Sequence, residues 1–190
     1  MKKQRKTEPK KESNRRTYLI FGAVTIGIIG LGYLLYLSLR EPEALDELKR
    51  FAGLSRGHDE TVEYAGLELP PVGGLHSGVW QNCGIYTDPI DSKNAVHSME
   101  HGAVWIAHQP EIEDDEISTL HDLVRAEPYV LLSPYPNLKS PVVLTAWGVQ
   151  LELETASDAR IAQFVNQYQQ GPQTPELGAT CSNGTGLPVN

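Results

Sequence analysis

The chain has 190 residues, 40% hydrophobic and 21% charged, with two cysteines and a formal net charge of −8. That length suits one domain of ordinary size plus appendages, and the composition excludes collagen-like, disulfide-dense and wholly disordered classes. The net charge hides a division: residues 1–16 carry eight Lys/Arg against Glu8 and Glu12, whereas residues 41–190 carry seven Lys/Arg and 22 Asp/Glu.

Between the two charge regimes, Arg16 and Arg40 bracket TYLIFGAVTIGIIGLGYLLYLSL, which has no ionisable group other than tyrosine phenols. As a helix, Tyr18–Leu39 would extend roughly 33 Å, enough for a hydrocarbon core of about 30 Å. Tyr18, Tyr33 and Tyr36 fall where interfacial aromatics sit. The sequence therefore predicts an uncleaved transmembrane anchor over 17–39. A cleaved signal peptide is the rival reading, opposed by the length of the run and by the absence of a small-residue cleavage site before Glu41-Pro42. The basic tail, 1–16, is expected in the cytoplasm and the acidic portion outside the cell membrane. This topology explains the basic tail without a nucleic-acid partner, and membrane lipid around 17–39 is the expected contact. In an oxidising compartment Cys83 and Cys181 can form one intramolecular disulfide; free thiols or an intermolecular bond are the alternatives.

Downstream, Glu41–Leu54 reads as a stalk helix within a linker over 40–60, from Ala44, Leu45, Leu48, Phe51 and Ala52. Thr61–Leu69 alternates enough for a strand, and residues 70–90, dense in Gly and Pro, form an ordered loop. A helix capped by Asp91 or Ser92 runs to Glu100 or His101, where Gly102 can end it. Residues 103–108 form a buried strand, Ile112–Ala126 an amphipathic helix, Tyr129–Ser133 a strand, Val142–Leu153 one long strand bulged at Gly148, and Ser157–Gln169 a helix. The expected fold is α+β, a small mixed or antiparallel sheet with packed helices over 61–181, followed by a flexible tail, 182–190.

The residues that carry chemistry cluster in His97-Ser98-Met99-Glu100-His101. Four residues apart on a helix, His97 and His101 share a face and can share a metal ion. His76, between glycines, is the first choice for a third ligand; Glu100, Met99 and Cys83 are lesser candidates, Met99 chiefly for copper(I). The expected cofactor is a transition metal, copper or zinc. His58, His108 and His121 read as solvated or structural. The bland alternative is a set of structural histidines in an envelope protein that contacts another envelope component. A third reading takes H-x-x-E-H as a zinc peptidase pattern in which Glu100 activates water and Glu152, Glu154 or Glu176 completes the site. No phosphate loop, dinucleotide fingerprint or G-x-S-x-G elbow is present.

The segments PPVGGLHSGVWQNCGIYTDPI, NAVHSMEHGAVWIAHQP, VLLSPYPNLKSPVVLTAWGVQL and QYQQGPQTPELGATC resemble the bacterial family known as domain of unknown function 3105, over roughly Val62–Cys181. The resemblance implies a basic start, one membrane helix and this domain, with no established activity. It places His76, Cys83, His97, Glu100, His101 and Cys181 inside the family's motif segments. An aliphatic residue is usual at the Met99 position, which favours the histidines over a methionine ligand.

Overall fold

A computed structural model describes residues 15–39, 45–64 and 66–189, with side chains from 18 to 33 in the first helix. The chain divides into two units, Met1–Glu43 and Ala44–Asn190. In the first, α1 (Arg15–Leu39) follows the apolar run, and its large side chains from Tyr18 to Tyr33 are exposed. Among the described residues no helix is long and apolar enough to cross a membrane. The side chains from 18 to 33 account for roughly 24 Å of helix; the rest of the apolar run, and the tail before it, lie outside them.

The second unit is an α+β domain around one six-stranded mixed sheet. Its elements are β1 (Lys49–Arg50), β2 (Gly84–Ile85), α2 (Ser92–Glu100), β3 (Val104–His108), α3 (Asp114–Val124), β4 (Val130–Pro134), β5 (Val142–Ala146), β6 (Val149–Leu153) and α4 (Arg160–Tyr168). The strand order is β1-β6-β5-β3-β4-β2; β4 is parallel to β3 and β2, and the other pairs are antiparallel. The strands read as continuous apolar runs because both faces are covered. Val104 and Ile106 point to one face, where Leu120 and Val124 of α3 and Ile161, Phe164 and Val165 of α4 complete a core. Trp105 and Ala107 point to the other, beneath Ala95, Val96 and Met99 of α2. This alternation places α2 alone on the face that carries the histidines.

Three expected elements differ. The stalk helix does not form among the described residues: Glu47 has a φ of +66°, Lys49 and Arg50 pair with Gln150 and Val149 at the sheet edge, and Leu45 is buried in the core. A solvated helix of that length is marginal, and burying Leu45 on the sheet wins. No strand forms among the described residues of 61–69; Tyr64 and Leu69 pack onto the core from irregular backbone, and the Tyr64 hydroxyl donates to the Leu75 carbonyl. The long strand is a hairpin, turned at Trp147-Gly148, where Gly148 takes a φ of +72° and a Cβ would lie 3.0 Å from the Phe51 carbonyl oxygen. A glycine marking a turn, not a bulge, doubles β5 back as β6.

Cys83 and Cys181 form a disulfide, with Cα atoms 5.4 Å apart and a sequence separation of 98. Closing a loop of that size contributes about 2–5 kcal/mol. Beyond it, residues read from the sequence as a tail are bonded to the domain: Thr185 bridges to Gln81 and Val189 to Ile85.

Gly102 ends α2 at a φ of +100°, and a side chain there would run into Gln170 and meet Thr174 at 3.1 Å. Gly102→Ala is expected to cost about 1–3 kcal/mol, read as a lower urea midpoint with an unchanged slope. An unchanged midpoint would show that the turn and Gln170 adjust freely.

Candidate metal centre

The site is assembled from three segments. Gly73 and Gly74, at φ +134° and +114°, let the loop lie against Trp147, where a Cβ on Gly73 would sit 3.2 Å from the indole. The chain then turns His76 inward, and its backbone is fixed by bonds from His76 N to Gly57 O (3.1 Å) and from Asp59 N to His76 O (2.7 Å). The same pairing brings His58 alongside. Helix α2, capped by Asp91, anchors its apolar side on Trp105 and offers His97, Glu100 and His101 to the loop.

His76 is fully buried, His97 and Glu100 nearly so, and the His58 side chain is 52% exposed. The ring centroids of His58, His76 and His97 lie 4.8–4.9 Å apart. One ligand atom from each of His58, His76, His97 and Glu100 falls within 4.8 Å of the others. A tetrahedral zinc with bonds near 2.0–2.1 Å spaces its ligand atoms by about 3.3 Å, so the group would draw in slightly around an ion. The half-exposed His58 is the ligand freest to move.

Each inner imidazole is oriented through Nδ1. His76 Nδ1 donates to the Gly74 carbonyl (2.8 Å), His97 Nδ1 to that of Ser77 (2.7 Å) and His101 Nδ1 to that of Thr180 (2.7 Å). A carbonyl can only accept, so this tautomer leaves Nε2 of a neutral ring with its lone pair. That is how outer groups prepare metal-binding histidines. Burial pushes His97 down to about 4 against the opposing Ser77 bond, and the neighbouring histidines add to the depression. It is therefore neutral near pH 7 and able to act as a ligand.

Around Glu100 the chemistry is incomplete. Its Oε1 accepts from Arg56 Nε at 3.2 Å, and its Oε2 lies 2.9 Å from His76 Nε2 and 3.9 Å from His58 Nε2. Yet His76 Nε2, buried, has no hydrogen-bond partner, because the carboxylate oxygen lies off the line an Nε2–H would take. With the proton on Nδ1 of a neutral ring, two buried acceptor atoms thus lie 2.9 Å apart with no hydrogen bond between them. Buried acceptors in that relation want a cation between them.

Of the residues expected from the sequence, His76 and His97 come together. His101 packs its ring 4.6 Å from that of His97, but its Nε2 faces Glu176 at 3.6 Å, outside the four-residue group. Met99 is wholly buried in the apolar core and Cys83 is in the disulfide, which removes both sulfur candidates. His58, read as a linker residue, joins the group through the backbone pairing of Gly57 and Asp59 with His76. Glu100 is held by Arg56 and lies beside His76.

The family described as "Protein of unknown function (DUF3105)" matches residues 56–183. The chain belongs to this family. The matched DUF3105 segment begins at Arg56 and ends beyond Cys181, so it contains the whole histidine–glutamate group, its arginine and the disulfide. No curated protein and no solved structure matches the chain.

Proposed function

We propose that this DUF3105 protein is a membrane-anchored, extracytoplasmic metal-binding protein that holds zinc or copper(II) at His58, His76, His97 and Glu100. The observation that carries the reading is the buried, unpartnered Nε2 of His76 beside the Glu100 carboxylate. Three imidazoles and a carboxylate suit zinc or copper(II); without thiolate or thioether the set is poor for copper(I). The disulfide fits an oxidising compartment outside the cytoplasm. The uncharged run between Arg16 and Arg40 supports an anchor over 17–39 with residues 1–16 inside, lipid being its partner. Binding or delivery of the ion fits better than hydrolysis, since Glu100 is engaged by Arg56 and His76.

The Arg56–Glu100 contact favours a second reading, a buried ion network in a protein that contacts another envelope component. Metal content separates the two. Full-length protein purified in detergent without an affinity tag, then loaded with zinc or copper(II), should retain about one equivalent. His76→Ala and His97→Ala should each weaken retention by well over tenfold, because each removes a ligand. Equal and negligible metal in all three proteins would end the metal reading and leave the ion network.

A further inference from the structure

The disulfide lies next to groups that pack against the His97 ring. Cys181 is flanked by Thr180 and Ser182, and each uses its carbonyl on a ring of the site. Thr180 O accepts from His101 Nδ1 at 2.7 Å, and Ser182 O accepts from Trp80 Nε1 at 3.2 Å. Both rings pack against His97, with centroids 4.6 Å and 5.7 Å away, and against each other at 5.0 Å. Between them the Cys181 carbonyl accepts from Cys83 N at 2.9 Å. The same segment reaches the far end of the group, where Glu176 N donates to the Glu100 carbonyl at 3.0 Å. Three successive carbonyls, 180 to 182, are therefore committed to the loop and the helix that present the ligands, and one covalent bond holds them there.

We propose that the Cys83–Cys181 disulfide controls the metal affinity of the histidine–glutamate group, so that its reduction by a dithiol releases the ion. This rests on the metal-binding reading above. The chemistry is a thiol–disulfide exchange: a dithiol attacks the half-buried Cys83 sulfur and expels the Cys181 thiolate, and its second thiol then resolves the mixed disulfide. The protein disulfide gains two electrons and two protons to become two thiols, and the dithiol is oxidised to its own disulfide. None of the four ligands changes. What is lost is the covalent tether of 180–182, leaving the hydrogen bonds of Gly184 and Thr185 to hold that segment. With it goes part of the packing of Trp80 and His101 on the His97 ring, whose own bond to Ser77 remains. Loss of such outer partners costs roughly 10–100-fold in metal affinity.

Cobalt(II) is the probe, since its visible absorption reports a four-coordinate histidine site directly. Full-length protein and the Cys83→Ala/Cys181→Ala double variant are titrated, with far-ultraviolet circular dichroism to establish that both are folded. The double variant should bind the same single equivalent at least tenfold more weakly. Trp80→Phe keeps a six-membered ring and removes the pyrrole part with its bond to Ser182, so it tests the packing step of the linkage even if the cysteine variant does not fold; it too should bind more weakly. Wild-type affinity in the folded variants overturns the linkage and leaves the metal site standing. A wild-type protein that develops no cobalt spectrum overturns the metal site and the linkage together.

Discussion

Zinc at about a thousand times its dissociation constant is expected to stabilise the folded domain by about 4 kcal/mol. For a unit of roughly 150 residues this corresponds to a rise in melting temperature of roughly 8–16 °C. The sign follows from where the ligands are. In the unfolded chain His58, His76, His97 and Glu100 are separate, so the ion binds the folded state far better. In the folded state they lie within 4.8 Å of one another, close enough to draw in around one ion. His76→Ala removes the deepest ligand, and its melting temperature should rise much less with zinc than that of wild type. His121→Ala, on α3 and outside the group, should respond as wild type does. Calorimetry with zinc and with copper(II) provides the measurement; a wild-type transition unmoved by either ion would sink the reading.

The second large effect is at Trp105. Its side chain is fully buried under α2, and its Nε1 donates to Ser133 Oγ at 3.0 Å. Truncation to alanine should cost about 3–5 kcal/mol through lost burial and the cavity left behind, with a further penalty for the orphaned Ser133 hydroxyl. Against a total stability of about 5–15 kcal/mol, that is enough to unfold a large fraction of the protein. Phe164→Ala on the opposite face should cost a similar amount, as both residues have no exposure. The pair differs in consequence. Trp105 supports α2, whose His97 and Glu100 face the site, while Phe164 lies across the sheet with α4. Metal affinity of the residual folded protein should therefore fall in Trp105→Ala and hold in Phe164→Ala. Denaturation midpoints and metal titration together check this, and equal affinity in both variants would show that α2 keeps its place without the indole.

Reading the chain alone found every element whose pattern is local. Helix α2 was visible from Asp91 and Gly102, α3 from its apolar stripe, and β3 and β4 from short apolar runs. Two of the failures share a cause. Residues 49–50 could not be recognised as an edge strand because their partner, β6, is about a hundred residues away, and Leu48 and Leu45 fit a helix face as well as a sheet edge. Gly148 looked like a bulge because a turn and a bulge use the same residue. Only the partner strand distinguishes them.

The site divides the same way. Residue types determined its chemistry: imidazoles and a carboxylate near a helix end, beside glycines that permit a tight loop. Spacing on one helix suggested that His97 and His101 would share a metal, since i and i+4 side chains are neighbours. In the fold the two rings remain neighbours, but the bond to Thr180 turns the His101 Nε2 toward Glu176 while the 74–77 loop sets His76 and His97 toward Glu100. His58 enters only through the pairing of Gly57–Asp59 with His76, a backbone contact that leaves no trace in the order of residues. The two cysteines and the charge asymmetry could be counted from the sequence, and they supplied the expectation of compartment and bond. That the bond holds the carbonyls on either side of Cys181 against the rings around His97 was decided by the fold, since long-range hydrogen bonds select their partners by position in space.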